Sequence, residues 1–462
     1  MIEELITQTN NDFIQNELRP FLRIPSYTLN HKGIDSAKDF LISYISEFCE
    51  DIKEFEGDIN PLILAKIRGN TEKLLLIYMM YDTQPISDDK DWLSSPFGAE
   101  IKILPEPLDV LGECIIARGA YNSKTPLICF LNIVKLLKEK NQLPFSLLLI
   151  FDGEEEIGSP SLLKFLKNNK RIFEDCTDAY YPAIKQDIDE RFVLKLGYKG
   201  IISLTFNVNT KNKEPHSAFS GMIPNPATDL ISLLNSIYTN NQFLINSLRE
   251  PYNLTMEENS IIKDLLEVLD IEKIKKKAGI VQTLETDTRI AFFDYLFKPT
   301  FNISTLKSGY LEEGTKNMVA NQAICNVDIR FAHNVTVDEI FKEINAKVNE
   351  FSKKSSCKIE LIKNIGYEGS RVDKNSILVK SLIESNKILG VTTEIWPFSA
   401  AAAPLSKIKN EFEWLNFIVG CLGIGGYAHA PNEFVQVDSI GRTRLSIFYF
   451  LNIYSKLYSK IS

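Results

Sequence analysis

Short apolar runs alternate with helical patterns along the first half of the chain. Residues 73–78 (KLLLIY) and 145–151 (FSLLLIF) are nearly unbroken apolar runs, a pattern typical of parallel strands that are buried on both faces. Between these runs, four apolar residues recur at the spacing of one helix face: Phe130, Ile133, Val134 and Leu137. Strands that alternate with helices predict an α/β domain with a mostly parallel sheet.

The middle of the chain follows a different pattern. Residues 200–208 (GIISLTFNV) alternate in a way that predicts a strand with one covered face, and residues 323–331 (AICNVDIRF) predict another strand. A helix is expected to begin at Asn225 and Pro226, because Asn is a favoured N-cap and Pro a favoured first residue of a helix. This succession indicates a smaller α+β domain inserted into the α/β domain.

The two patterns divide the chain into three segments. We predict that residues 1–198 and 374–462 form the α/β domain, and that residues 199–373 form the inserted domain. At roughly 100–200 residues per domain, a chain of 462 residues has room for two to four domains.

The charge balance and the apolar content narrow the classes of function. The chain has 60 acidic and 52 basic residues, and its net charge of -8 argues against a general nucleic-acid binder, which needs a basic surface. Its apolar stretches are far shorter than the roughly 20 residues of a membrane helix. No secretory signal is evident, and none of the seven cysteines forms a CxxC pair. We therefore expect a cytoplasmic globular protein with free thiols and no membrane partner.

Residues able to do chemistry concentrate after predicted strands, where open α/β sheets place their ligands. Four such segments are 78–85 (YMMYDTQP), 117–124 (ARGAYNSK), 152–160 (DGEEEIGSP) and 428–433 (AHAPNE). Three consecutive glutamates, at positions 154 to 156, are by themselves typical of a solvated charge run. Their position directly after an apolar strand favours a functional site instead.

Together these segments resemble the di-zinc exopeptidase family of carnosinases, cytosolic nonspecific dipeptidases, acetylornithine deacetylase and succinyl-diaminopimelate desuccinylase. The resemblance runs from about residue 20 to the C-terminus, segment by segment and in the same order. It implies an α/β catalytic domain with an inserted α+β lid, a homodimer formed through the lid, and a small peptide or N-acyl amino acid as substrate.

The resemblance also implies roles for single residues of the α/β domain. Glu155 corresponds to the general base, and Asp82 corresponds to a carboxylate that orients the site. Glu156 and His429 correspond to ligands of one zinc ion.

Further roles fall on the lid and on one loop near the C-terminus. The segments around His216 (PHS) and Asn225 (PNP) resemble the family's lid, whose histidine reaches the partner subunit's active site. Arg330, in the segment DIR, resembles the substrate-binding arginine of the lid strand. Ser399 opens the segment SAAAAP, where relatives carry a Gly/Ser-rich substrate loop. The resemblance thus implies that Asn225, Arg330 and Ser399 bind substrate.

Several metal ligands of the family are replaced in this chain. Met80 stands where the family has a histidine, and Asn122 stands where it has the bridging aspartate. The third carboxylate is expected near position 184, whereas Asp187 lies three residues later. Zinc prefers imidazole, thiolate and carboxylate ligands, and two adjacent zinc ions need an anionic bridge. We therefore expect no di-zinc centre, and either no metal or one weakly held zinc ion at Glu156, His429 and Asn122.

Two functions from different classes follow from these residues. The first is an enzyme that hydrolyses or transfers an amide bond, with Glu155 as the base and with Lys185 in part of the vacated zinc site. There Lys185 would pair with Glu155 or Glu156 and polarise a substrate carbonyl. The second is a catalytically inactive protein that binds a peptide or partner, and a mono-zinc dipeptidase or deacylase is a further alternative. Without metal charge, we expect Asp82 and all three consecutive glutamates to crowd together and to raise one another's pKa values.

Overall fold

The computed structural model describes the following ranges: 2–29, 31–49, 51–86, 88–189 and 191–460. The chain forms two compact units. The first unit consists of Met1–Leu196, Val372–Trp396 and Lys407–Ser462. The second unit consists of Gly197–Arg371 and Pro397–Ser406.

A six-stranded sheet forms the centre of the first unit. Its strands lie in the order Asp51–Phe55, Leu62–Ile67, Ser146–Asp152, Leu74–Met80, Cys176–Ile184 and Phe417–Cys421. The first two pairings in this order are antiparallel, and the other three are parallel. Both predicted apolar strands are buried along their whole length, as expected for strands covered on two faces. The predicted α/β unit with a mostly parallel sheet is confirmed.

A second, antiparallel sheet of four strands belongs to the same unit. Its order is Gly425–Gly426, Phe434–Gln436, Glu113–Ile116 and Glu100–Ile103. The segment 117–124 therefore follows a strand of this smaller sheet and not a strand of the main sheet. A short parallel pair completes the strands of the unit: Phe192–Lys195 and Thr393–Trp396.

The first unit also contains helices of different lengths. The longer ones are Ile34–Ser46, Lys124–Glu139, Pro160–Asn168, Ile377–Ile388 and Val437–Tyr458. Short helices lie at Ile2–Gln8, Asn10–Phe13, Arg19–Leu22 and Ser406–Glu411, with a π-helical turn at Ile14–Leu18 and 3₁₀ turns at Asp109–Leu111, Glu155–Ile157 and Lys170–Phe173. Within the described part of the chain, no helix combines the length and the apolar character needed to span a membrane.

The second unit is built on a four-stranded antiparallel sheet. Its strands lie in the order Thr300–Ser308, Gln322–Phe331, Gly200–Asn209 and Lys358–Tyr367. Along Gly200–Asn209, buried and half-buried residues alternate strictly, as the sequence pattern predicts for a strand with one covered face. Helices Pro226–Ile237 and Val337–Ser352 supply apolar residues that pack with those of the sheet in one core.

The second unit also contains further helices and two short two-stranded ribbons. Its other helices are Asn246–Arg249, Met256–Val268, Ile271–Lys277 and Thr288–Phe297, with a 3₁₀ turn at Ser217–Phe219. The ribbons pair Tyr238–Thr239 with Gln242–Phe243, and Gly197–Tyr198 with Ser370–Arg371.

One segment lies in a different unit from the one that the sequence indicates. Residues 397–406 were expected in the α/β domain, but they belong to the second unit. The backbone of Ser399 explains the difference, because its amide donates to the carbonyl of Gly197 at 2.8 Å and its carbonyl accepts from the amide of Lys199 at 3.1 Å. Such long-range backbone pairing leaves no trace in local hydrophobic periodicity.

Candidate functional site

Asp82 links two loops at one edge of the main sheet. It follows the strand Leu74–Met80 and is fully buried. Its carboxylate accepts hydrogen bonds from the backbone amides of Glu155, at 3.3 Å, and Glu156, at 3.0 Å. The hydroxyl of Thr28 donates to the same carboxylate at 2.8 Å. Burial, followed by the charges of nearby carboxylates, raises the pKa of Asp82 well above its usual range. Asp82 therefore holds the turn that carries the two glutamates.

Glu156 is surrounded by hydrogen-bonding groups. Its two carboxylate oxygens lie 2.9 Å from Asn122 Nδ2 and 3.0 Å from Gln84 Nε2. His429 Nε2 lies 3.1 Å from Oε2 of Glu156, whose side chain is only 3% exposed. This hydrogen bond is the main reason why the pKa of His429 is raised. The structure thus brings Glu156, Asn122 and His429 together, and it adds Gln84, to which sequence reasoning gave no role.

Glu433 holds the loop that carries Asn122. Its buried carboxylate accepts from the backbone amides of Tyr121, at 3.0 Å, and Asn122, at 2.8 Å. Arg118 donates to the other oxygen at 2.7 Å, and both side chains of this ion pair are almost completely buried. Burial raises the pKa of Glu433, and these donors oppose the rise. Sequence reasoning gave Glu433 no function, although the residue closes the motif AHAPNE.

Glu155 differs from its neighbours because its carboxylate has no hydrogen-bond or ion-pair partner among the described residues. The side chain is half-buried and makes no hydrogen bond or ion pair with any residue that the structure describes. Burial, together with the charges of Glu156 and Asp152, raises the pKa of Glu155 to about 8. The positive charges of Lys185 and His429 oppose this rise.

Lys185 lies close enough to Glu155 for each charge to act on the other. It is the first residue after the strand Cys176–Ile184, and its side chain is exposed to solvent. Loss of hydration among the surrounding protein atoms lowers the pKa of Lys185, whereas the charge of Glu155 raises it. In the described part of the chain, no ion pair within 4.0 Å joins Lys185 to Glu155 or Glu156. The structure therefore places the cation near the site without the direct pairing that the sequence suggested.

Glu154 does not join the cluster of carboxylates that the sequence led us to expect. Its carboxylate accepts from the amides of Ile59, Asn60 and Ser161 at 2.8, 3.0 and 2.9 Å, and from the Ser161 hydroxyl at 3.0 Å. The side chain is buried among these donors. Glu154 is therefore a structural residue that fixes the loop before the strand Leu62–Ile67.

The donors at this site do not fit two zinc ions. Met80 is 1% exposed and offers only a thioether, and Asn122 offers an uncharged amide in place of a bridging carboxylate. The third carboxylate is expected where the chain has Ala183 and Ile184, neither of which offers a ligand side chain. The carboxylate of Asp187, three residues later, accepts from the amide of Ile188 in its own turn. Within the described ranges, no group of three or more His, Cys, Asp or Glu side chains is arranged to hold a metal ion.

The expected substrate residues lie in the second unit. His216 is exposed, and its Nδ1 accepts from the amide of Ala218 at 3.1 Å. Arg330 lies 3.8 Å from Asp328 in a loose ion pair and lines a cavity of about 840 Å³. Aromatic and aliphatic side chains form much of this cavity's wall: Phe292, Tyr295, Phe301, Ile271, Ile274 and Leu284.

Asn225 and Ser399 both use their side chains to fix local structure. Asn225 Oδ1 accepts from the amide of Ala227 at 3.0 Å, which caps the helix Pro226–Ile237. Ser399 is 3% exposed, and its hydroxyl accepts from the amide of Ala401 at 3.2 Å. These bonds account for both residues without a substrate.

The amino-acid sequence matches peptidase family M20/M25/M40 over residues 76–450. It is 24% identical to the Beta-Ala-His dipeptidase of Rattus norvegicus over 414 residues, which cover 86% of this chain and 81% of the relative. It is 25% identical to the Cys-Gly metallodipeptidase dug1 of Schizosaccharomyces pombe, over 75% of each chain.

Solved structures of this family share the fold. The M20 family metallo-carboxypeptidase Sso-CP2 from Sulfolobus solfataricus has a TM-score of 0.85 at 27% identity, with 95% of this chain and 98% of that chain covered. The dipeptidase Dug1p from Saccharomyces cerevisiae has a TM-score of 0.80 at 19% identity, with 98% of both chains covered. The family match spans more than half of the sequence, and it confirms the resemblance drawn from the motifs. The chain therefore belongs to peptidase family M20/M25/M40.

Proposed function

We propose that the chain acts on the amide bond of a small peptide or N-acyl amino acid, with Glu155 as the general base and without a two-zinc centre. One observation carries this proposal. The carboxylates of Asp82 and Glu156 accept several hydrogen bonds. The carboxylate of Glu155 has no hydrogen-bond partner among the described residues, and the positive charge of Lys185 acts on it. Because its pKa is raised to about 8, the Glu155 carboxyl group is ionised above that pH, where it is suited to accept a proton from a reacting group.

The proposed reaction is hydrolysis. Glu155 takes a proton from a water molecule, whose oxygen attacks the carbonyl carbon and forms the new C–O bond. The C–N bond then breaks, and the proton on Glu155 passes to the leaving nitrogen. Lys185 stabilises the negative charge that develops on the carbonyl oxygen, an effect for which single donors in other enzymes are worth about 100- to 1000-fold in kcat.

The proposed substrate is small and carries a carboxylate. Relatives of this chain are named for the dipeptides Beta-Ala-His and Cys-Gly. In the second unit, Arg330 is the proposed partner for a carboxylate, and the apolar wall of its cavity suits an uncharged side chain or acyl group.

The direct test uses the two dipeptides Beta-Ala-His and Cys-Gly. The chain is freed of metal with a chelator, and release of the free amino acids is followed before and after this treatment. We expect hydrolysis of at least one dipeptide, with a rate that the chelator does not change. A rate that disappears with the chelator and returns with zinc would instead favour the mono-zinc enzyme.

A second candidate function is a protein that binds a peptide without cleaving it. The mutual hydrogen bonds of Glu156, Asn122 and His429 favour this candidate, because they satisfy the side chains that relatives are expected to use for catalysis. Calorimetry with the same dipeptides separates the two functions. Binding without release of amino acids identifies the non-catalytic protein.

Restoring the missing ligands is expected to restore metal binding. The double variant Met80→His and Asn122→Asp supplies an imidazole and an anionic bridge, so its zinc content should exceed that of the unsubstituted chain. Elemental analysis after gel filtration measures this content. Met80→Leu with Asn122→Asp is the matched control, since it adds the bridge without the imidazole. Equal zinc content in all three proteins would show that the family's ligand positions are misassigned here.

We also propose a homodimer formed through the second unit. Two exposed apolar side chains support it: Ile231, on the helix Pro226–Ile237, is 59% exposed, and Leu306, on the edge strand Thr300–Ser308, is 54% exposed. Pairing of two edge strands across a two-fold axis would cover exposed backbone groups. Light scattering at micromolar concentration should give twice the chain mass, and Ile231→Glu with Leu306→Glu should give a monomer. Ile388→Glu, at a 53% exposed position of the first unit, should remain dimeric.

A further inference from the structure

A lysine of the second unit is buried with backbone carbonyls as its partners. Lys199 is 1% exposed, and its Nζ donates to the carbonyls of Tyr295, at 3.0 Å, and Lys298, at 2.8 Å. Among the described residues, no carboxylate forms an ion pair with this nitrogen. Burial, followed by the positive charges of Arg371 and Arg330, lowers the pKa of Lys199 to about 7. Since a buried amine without a carboxylate is costly, the two carbonyls are what this lysine serves.

The end of the helix Thr288–Phe297 explains why these carbonyls need a donor. In a helix, the carbonyl of residue i accepts from the amide of residue i+4, and for Tyr295 that residue is Pro299, which has no amide hydrogen. Lys298 has the extended backbone that is usual before proline, with φ -70° and ψ 138°, and the helix ends there. The amine of Lys199 supplies the missing donor, and its positive form is favoured at the C-terminal end of a helix.

The helix that Lys199 holds forms one wall of the cavity at Arg330. Five of its residues line the cavity: Thr288, Ala291, Phe292, Asp294 and Tyr295. The strand that follows the helix begins at Thr300, which pairs with Arg330. Lys199 directly precedes the strand Gly200–Asn209, in which Ile201 also pairs with Arg330. Both neighbours of Arg330 in the sheet are thus connected to Lys199, one through the chain and one through its amine.

We propose that Lys199 is a positioning residue for the cavity at Arg330. Its amine fixes the end of the helix Thr288–Phe297 and so sets the distance between the wall of the cavity and the Arg330 guanidinium. This inference rests on the proposed function, in which Arg330 binds the carboxylate of the substrate.

The side chains of the wall indicate which substrates depend on this distance. Phe292 and Tyr295 line the cavity from the helix, and Phe301 lines it from the neighbouring strand. Aromatic rings bury a large apolar area and pack favourably against other rings. A ligand whose carboxylate is bound by Arg330 presents the side chain beside that carboxylate to these rings. Lys199 therefore determines the affinity for dipeptides that end in an aromatic residue.

The kinetic test compares Gly-Phe with Gly-Gly, which share an amide bond and a carboxylate and differ by one benzyl group. For Lys199→Met we expect KM for Gly-Phe to rise about tenfold with kcat unchanged, because a wall that is not held must be ordered when the ligand binds. Both constants for Gly-Gly should stay unchanged, since this dipeptide has no side chain to meet the wall. An equal rise in KM for both dipeptides, or no rise for Gly-Phe, would overturn the proposal.

Two further variants separate positioning from a general loss of structure. Lys199→Arg keeps a cationic donor and should keep the KM of the unsubstituted chain. Lys363→Met removes a lysine whose Nζ donates to Asp338 at 2.9 Å, and since neither residue lines the cavity, KM should again be unchanged. If circular dichroism shows that Lys199→Met does not fold, Lys199→Gln replaces it with the same expected rise in KM for Gly-Phe.

Hydrogen exchange tests the structural step without a ligand. The amide of Lys298 donates to the carbonyl of Asp294 at 2.9 Å in the last turn of the helix. Without the amine of Lys199 this turn should open more often, so the amide of Lys298 should exchange faster in Lys199→Met and not in Lys363→Met. An unchanged exchange rate in Lys199→Met would overturn the proposal.

Binding of hydrocinnamate tests the inference without catalysis. This compound keeps the benzyl group and the carboxylate of phenylalanine but has no amide bond. Calorimetry should give a Kd that is about tenfold higher for Lys199→Met than for the unsubstituted chain. An equal Kd for both proteins, or no binding to the unsubstituted chain, would overturn the inference. If the chain binds hydrocinnamate but hydrolyses none of the dipeptides, the proposed function fails, and the ratio of the two Kd values still decides the role of Lys199.

Discussion

Replacing Glu155 by glutamine is expected to lower kcat for dipeptide hydrolysis by about 100- to 10,000-fold, the usual contribution of a positioned general base. Glutamine keeps the shape of the side chain but cannot take a proton from water. The carboxylate makes no hydrogen bond with the described residues, so its replacement should not destabilise the fold. Steady-state kinetics with Beta-Ala-His and Cys-Gly measure the effect.

Glu139→Gln is a suitable control for this variant. Glu139 is an exposed glutamate at the end of the helix Lys124–Glu139, and its replacement should leave kcat and KM unchanged. If Glu155→Gln keeps the kcat of the unsubstituted chain, Glu155 is not the base.

The largest effect on stability is expected from the buried ion pair of Arg118 and Glu433. Glu433→Gln removes the charge while Arg118 stays buried, and breaking a pair of this kind costs about 3–5 kcal/mol in other proteins. The backbone amides of Tyr121 and Asn122 also lose an anionic acceptor. Chemical denaturation should show a corresponding fall in the free energy of unfolding.

An exposed ion pair of the same unit provides the control. Lys53 and Asp51 lie 3.5 Å apart with more than half of each side chain exposed, so Asp51→Asn should change the free energy of unfolding by about 1 kcal/mol or less. A loss for Glu433→Gln no larger than that of the control would show that Glu433 does not hold the Asn122 loop.

Local patterns predicted much of the fold. The strands Leu74–Met80 and Ser146–Asp152 are fully buried, and an unbroken apolar run is the direct consequence of burial on both faces. The alternation along Gly200–Asn209 likewise reflects one covered face. The sequence did not predict that Glu113–Ile116 belongs to a separate antiparallel sheet, because this depends on pairing with Phe434–Gln436, far along the chain.

The candidate site was predictable in its position but not in its bonding. Asp82 and Glu156 meet because each follows a strand of the main sheet, and neighbouring parallel strands end at the same edge. The direction in which each side chain points at that edge could not be predicted from the amino-acid sequence. Glu154 and Glu155 are adjacent, yet one accepts four hydrogen bonds in the structure and the other accepts none from the described residues.

Asn122, at the position where the family's pattern has the bridging aspartate, accounts for part of the local bonding. The amide of Asn122 donates to Glu156, which an aspartate in the same place could not do without being protonated. His429 and Glu156 then face each other directly at 3.1 Å. The site is held together by hydrogen bonds between residues that in the family's pattern are expected to hold metal.

The zinc content of the purified chain tests the central claim most directly. The protein is equilibrated with zinc, passed through a desalting column and analysed for metal per chain. We predict at most one zinc ion per chain, removed by brief treatment with a chelator. Two zinc ions per chain that survive the chelator would contradict the proposed site.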